Sequence, residues 1–176
     1  MKNPEEIKKI LDNLELQIQK LRILLDGGVS EVNDSNYFYN LAAAEGGIQA
    51  DDNVTIVEGV FDGQNMIGPD GKKYNVPPNY ASKSKLVEGD MLKLTINADG
   101  TFVYKQISPV DRERKVGTVV KDEGVDRYIV VCDDARYKVL LASITFYKAK
   151  EGDHVVVLVP KNTPCTWAAM ENVVIE

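Results

Sequence analysis

Apolar residues follow one rhythm near the N-terminus and another from residue 54 onward. Ile7, Leu11, Leu14, Ile18, Leu21 and Leu25 alternate between spacings of four and three, the a/d pattern of a coiled-coil helix about three heptads long. Asn3 suits the N-cap and Pro4 the first helical position, where its missing N–H costs nothing. Glu6 fits a capping box and Gly27-Gly28 a stop. Ile10, Leu16, Ile23 and Leu24 widen the stripe. An apolar stripe of this length needs a cover, either helices of other copies or the rest of the same chain. The heptads favour self-association, but the mixture of Leu and Ile at a and d selects no strand number.

Residues 27–53, rich in Gly, Ser, Asn, Asp and Ala, show no sustained period and read as a linker. Within it, Tyr37, Phe38 and Tyr39 are more aromatic than a linker requires. They either staple the segment to the following domain or dock a partner.

From residue 54 the chain repeats itself. Lys73-Tyr74-Asn75-Val76 is answered by Arg136-Tyr137-Lys138-Val139, and Glu88-Gly89-Asp90 by Glu151-Gly152-Asp153. Met91 to Ile96 is answered by His154 to Val159, all at one offset of 63. Gly59 matches Gly117, and Thr101-Phe102 parallels Thr166-Trp167. β-branched runs at 125–131 and 155–159 exclude helix there. The predicted strands are 54–61, 63–68, 72–77, 90–97 and 101–107, then 115–121, 126–132, 136–141, 153–159 and 166–174. Turn signals separate them at Asp70-Gly71, Asp99-Gly100, Asp133-Asp134 and Pro160 to Pro164. A glycine inside each first strand suits a bend that lets it serve both sides of a small barrel. The expected fold is therefore mainly β, two tandem five-stranded OB-like barrels preceded by an N-terminal coiled-coil α-helix, with OB favoured over an SH3-like barrel. The boundaries are 1–26 for the helix, 27–53 for the linker, 54–110 and 111–176 for the barrels.

Composition narrows the function classes. Charges interrupt every apolar stretch of the 176 residues, so no membrane span is predicted, and acidic residues near the start argue against a signal peptide. A cytoplasmic protein is expected. Cys132 and Cys165 make no disulfide framework, and with His154 the single histidine no familiar zinc spacing exists. No metal and no cofactor are expected, and both cysteines read as small buried hydrophobes. The net charge of −6 disfavours nucleic acid as a partner. The basic clusters are Lys72, Lys73, Lys83 and Lys85 in the first unit and Arg112, Arg114, Lys115, Lys148 and Lys150 in the second. They read as a mixed-charge surface, or as one groove for a single-stranded nucleic acid or the ribosome. No set of nucleophile, base and partner stands out. Asp51-Asp52 and Asp133-Asp134 read as solvated turns, His154 as a rim residue, and Trp167 as a barrel-closing or exposed residue.

The order of helix, linker and two β units resembles the N-terminal region of bacterial proteasomal AAA ATPases, without their ATPase module. The likeness rests on Asp70 to Asn79, Leu86 to Asp90 and the echo at Glu151 to Val155. It implies coiled coils that recruit protein and OB pairs that assemble a ring. Gly68 to Lys72 lacks the spacing of a phosphate-binding loop and looks like a hairpin turn. The chain also looks like small proteins of uncultured bacteria. A further similarity, to cold-shock-type OB domains, rests on the first-strand glycine, the Glu-Gly-Asp step and the ending at Ala169 to Val173. Those domains stack bases on strand aromatics, and here Gln64 to Gly68 and Asp126 to Val130 offer only Tyr128. The reading expected from sequence is a non-catalytic homo-oligomeric scaffold or adaptor that binds protein. The alternative is a nucleic-acid or ribosome binder.

Overall fold

The computed structural model describes residues 34–133 and 135–175, together with six helical positions nearer the N-terminus, Pro4, Ile7, Lys8, Leu11, Leu14 and Ile18. The proposed heptad residues Leu21 and Leu25, the Asn3 cap, Glu6 and the Gly27-Gly28 stop lie outside the described residues.

Two antiparallel sheets organise the described residues from Gly47 to Val173. The first holds β1 (Gly47–Ala50), β2 (Val54–Phe61), β3 (Asn65–Ile67), β4 (Lys73–Asn75), β5 (Met91–Asn97) and β6 (Phe102–Ser108). The second holds β7 (Arg112–Asp122), β8 (Arg127–Val131), β9 (Arg136–Val139), β10 (His154–Pro160) and β11 (Ala169–Val173). The strand orders are β4-β3-β2-β5-β6, with β1 also on β2, and β9-β8-β7-β10-β11. Counted within each unit, both run third, second, first, fourth, fifth, so the sequence repeat is a repeat of winding.

The first strand of each unit is paired on both sides, which places backbone close against its middle. A Cβ on Gly59 would lie 2.3 Å from the Ile67 carbonyl oxygen, and one on Gly117 would lie 2.6 Å from that of Val131. Only glycine leaves room for the crossing. The two glycines also share a register, Gly59 opposite Leu92 and Gly117 opposite Val155, positions related by the offset of 63.

The ladders form two sheets and no continuous barrel. In the second unit one parallel bridge links Lys138 of β9 to Trp167, through Lys138 N–H to Thr166 O at 2.8 Å and Ala168 N–H to Lys138 O at 2.9 Å. In the first unit the Tyr104 hydroxyl of β6 donates to the Asn75 carbonyl of β4 at 2.8 Å, so a side chain spans the matching gap.

Two further differences from the sequence reading have physical causes. The connection between third and fourth strands is a short helix in both units, α2 (Pro78–Lys83) and α3 (Leu141–Tyr147), so β9 ends at Val139 rather than at 141. Both helices end the same way. Lys85 and Lys148 adopt left-handed backbone (φ 51° and 54°), and the N–H of Leu86 and of Ala149 return to Ala81 O and Ile144 O. Helices this short bury too little to leave a period in sequence.

Within the predicted linker, Asp34–Glu45 is a helix, α1, and Gly47–Ala50 pairs antiparallel with β2. Phe38, Leu41 and Ala42, at helical spacing, are buried against Val60, Ile67 and Met91. A single turn's worth of apolar stripe is too brief to register as periodicity. Each unit keeps its own core, Val57, Phe61, Met66, Leu92 and Leu94 in the first and Val119, Val130, Val155, Val157 and Met170 in the second.

Candidate functional site

The densest polar chemistry lies where the two units meet, and the Glu88-Gly89-Asp90 turn builds it. Asp90 has no exposed surface. Its Oδ2 accepts from Val87 N–H and Gln106 Nε2, and its Oδ1 from Val110 N–H and Arg112 Nη2, at 2.7 to 2.9 Å. Arg112, the first residue of β7, also donates to Lys85 O at 2.9 Å. Burial pushes the Asp90 carboxyl up from its ordinary value, against the pull of those N–H groups and of Arg112.

Glu88, also buried, reaches the other way. Its Oε1 accepts from the backbone N–H of Thr166 at 3.1 Å and of Trp167 at 2.8 Å. Around this pair Val87 packs with Val110, Leu158 and Ala169. The Ser143 and Ser82 hydroxyls meet at 2.9 Å between α3 and α2, and the Trp167 ring lies against Gly63. Burial, then the charges of Glu88 and Glu45, push the Tyr37 phenol up to about 12.

Several of the basic residues are already held by carboxylates. Arg112 is committed to Asp90, and Arg114 forms a two-pronged pair with Glu171 at 2.6 and 2.9 Å. Lys115 lies 3.7 Å from Glu113 and 6.0 Å above the Tyr137 ring, and Lys72 sits 3.9 Å from Asp70. Lys73 is on β4, Lys83 closes α2, Lys85 and Lys148 hold the left-handed caps, and Lys150 gives its N–H to Asp153. A cation already held by a carboxylate has less to offer a phosphate.

Of the heptad residues described, Ile7, Leu11, Leu14 and Ile18 are helical and 43% to 56% exposed. Phe38 of the aromatic trio is buried, Tyr37 packs edge-on to it at 5.1 Å, and Tyr39 is exposed. The trio therefore staples α1 to the first unit.

The remaining candidates for chemistry are accounted for by their surroundings. Cys132 is buried and Cys165 half-buried. Burial and the Glu88 charge push the Cys165 thiol up, the wrong direction for a reactive thiolate. A cleft of about 270 Å³ beside Cys165 is lined by Lys115, Tyr137, Pro160 and Asn162. His154 is exposed, with Nδ1 3.2 Å from the Thr118 hydroxyl. Trp167 is half-buried. Among the described residues, no three His, Cys, Asp or Glu side chains are grouped to hold a metal ion, and no helix is long and apolar enough to cross a membrane.

The residues that sequence reading missed are Glu88, Asp90 and Arg112 acting together. The repeated Glu-Gly-Asp marked the turn, but nothing in sequence said that only the first copy is buried. Compared with known proteins, the chain matches no family model, no curated sequence and no solved structure.

Proposed function

We propose that this chain is a non-catalytic, self-associating scaffold. Its N-terminal heptads gather copies, and its two β units, each OB-like in its winding, form one platform for protein binding. The observation behind this reading is the outward exposure of the a/d residues Ile7, Leu11, Leu14 and Ile18 in a chain whose β units have their own closed cores. A helix face of that kind is most simply covered by the same face of another copy.

The OB assignment draws on the shared strand order, the helix between third and fourth strands and the contact between third and fifth in each unit. The resemblance to the N-terminal region of bacterial proteasomal AAA ATPases belongs with this proposal. Nucleic acid is the weaker reading, because its key cations Arg112 and Arg114 are spent on carboxylates.

Light scattering on the whole chain and on a Leu14→Glu/Ile18→Glu variant tests the scaffold. The expected result is a wild-type mass of several chains and a clear fall in the variant. A monomeric wild-type chain overturns it.

A further inference from the structure

The contact between the two units is built from parts that occur twice, and only one set is engaged. The engaged turn is Glu88-Gly89-Asp90. Its repeat, Glu151-Gly152-Asp153, has the same backbone. The central glycines have φ of 93° and 91°, and their N–H groups reach the first strand at Phe61 O and Val119 O. In each turn the aspartate accepts from the N–H three residues earlier, Val87 or Lys150. Yet Glu88 and Asp90 are buried, whereas Glu151 and Gly152 are exposed.

The receiving side is doubled as well. The first turn docks beside Leu158 and Ala169, which face each other across β10 and β11, and beside Trp167. The repeat partners in the first unit are Thr95 and Val103, which face each other across β5 and β6. Leu158 and Ala169 are 6% and 7% exposed, but Val103 is 51% exposed. Val103, bare on β6, thus marks the receiving face without its turn. Two residues further along, on the same side of the sheet as Val103, Lys105 faces Lys93. That face therefore adds positive charge where an acidic turn would arrive.

We propose that a second copy of this chain docks its Glu151-Gly152-Asp153 turn on the Thr95 and Val103 face of the first. This head-to-tail contact repeats between chains the one made within each chain. It deepens the scaffold reading and rests on it for its role, although the surfaces used are separate from the heptads. The contact between chains is the thinner of the two. Lys150 stands where Val87 packs in the first unit, and the Thr101 N–H is already given to Asp99 at 2.9 Å. Because the two surfaces differ, successive copies generate a ring or an open filament rather than a two-fold dimer.

Sedimentation velocity on the full-length Leu14→Glu/Ile18→Glu chain, over rising concentration, isolates this contact from the heptads. The apparent mass should rise with concentration. Adding Val103→Asp, or separately Glu151→Ser, should return it to a monomer. An equimolar mixture of the two should form one-to-one dimers and nothing larger, since each supplies the surface the other lacks. Both positions are exposed, and circular dichroism with thermal unfolding checks that each variant is folded. A heptad variant that stays monomeric at every concentration overturns the proposal. So does association indifferent to either change, or a mixture without dimers. The fall in mass from wild type to the heptad variant judges the heptads separately, so failure of one reading leaves the other decided on its own measurement.

Discussion

Arg112 opens the second unit with its Nη2 2.7 Å from Oδ1 of Asp90, the fully buried carboxylate that closes the Glu-Gly-Asp turn of the first. Removing one member of a buried pair strands the other, at a cost of about 3 to 5 kcal/mol. Asp90→Ala should therefore lower stability by roughly 3 kcal/mol in urea unfolding. Asp90→Asn combined with Arg112→Met should recover part of that loss. An Asp90→Ala chain as stable as wild type would show that the pair does not hold the units. Because burial raises this carboxyl, its own titration favours the folded chain as the pH falls toward the ordinary carboxylate range.

Glu88 holds the opposite side of the junction through the N–H groups of Thr166 and Trp167. Glu88→Ala leaves those donors without their carboxylate, a loss of about 1 to 3 kcal/mol. Glu88→Gln, which keeps one carbonyl acceptor, should lose less. Limited proteolysis offers a second check, since the loop around residues 161–165 should be cut faster in the alanine variant.

How far the sequence revealed this molecule depends on how much chain each feature spans. The strands were legible because alternation and β-branched residues mark them twice at one offset, and Gly59 and Gly117 were legible as crossing points. Helix α1 was not, because its buried face is little more than Phe38, Leu41 and Ala42. The partners of the basic residues were not legible for a related reason. Arg112 and Lys85 are far apart in sequence, and that one's guanidinium is bonded to the other's carbonyl is a fact of packing alone. Glu88 and Glu151 read identically, and only the neighbouring unit makes them different.

Gly63 combines φ of 107° with a missing side chain whose Cβ would lie 2.5 Å from the Trp167 ring. Gly63→Ala should destabilise by about 1 to 3 kcal/mol through backbone strain, with displacement of the indole in addition. Trp167 is the single tryptophan, so its emission should shift as the ring is pushed aside. Unchanged emission and stability would contradict the contact.

The left-handed caps Lys85 and Lys148 make the opposite prediction. A side chain in that conformation costs roughly 1 to 2 kcal/mol, of which glycine's greater freedom in the unfolded chain takes back about half. Lys85→Gly and Lys148→Gly should each raise the thermal midpoint, corresponding to roughly 0.5 to 1 kcal/mol. A lowered midpoint would mean that the lysine side chains contribute more than their backbone costs.

Tyr37 predicts sensitivity to base. Its phenol titrates near 10.0 when unfolded and about 12 when folded. The raised folded value means that its stabilising effect is complete below pH 10 and fades as the pH climbs to about 12. Stability should fall across that window, and Tyr37→Phe should flatten the slope. Tyrosinate absorbance and chemical unfolding at matched pH values test both halves.

Only residues 109–111 separate β6 from β7, and the buried carboxylates Glu88 and Asp90 of the first unit bond across that passage to the second. Neither half can therefore melt without leaving a charge stranded in the other. Two look-alike folds in series would ordinarily give two steps in calorimetry, yet this molecule should open in one, with the calorimetric and van't Hoff enthalpies equal. The duplication thus doubles the architecture without doubling the number of cooperative folding units.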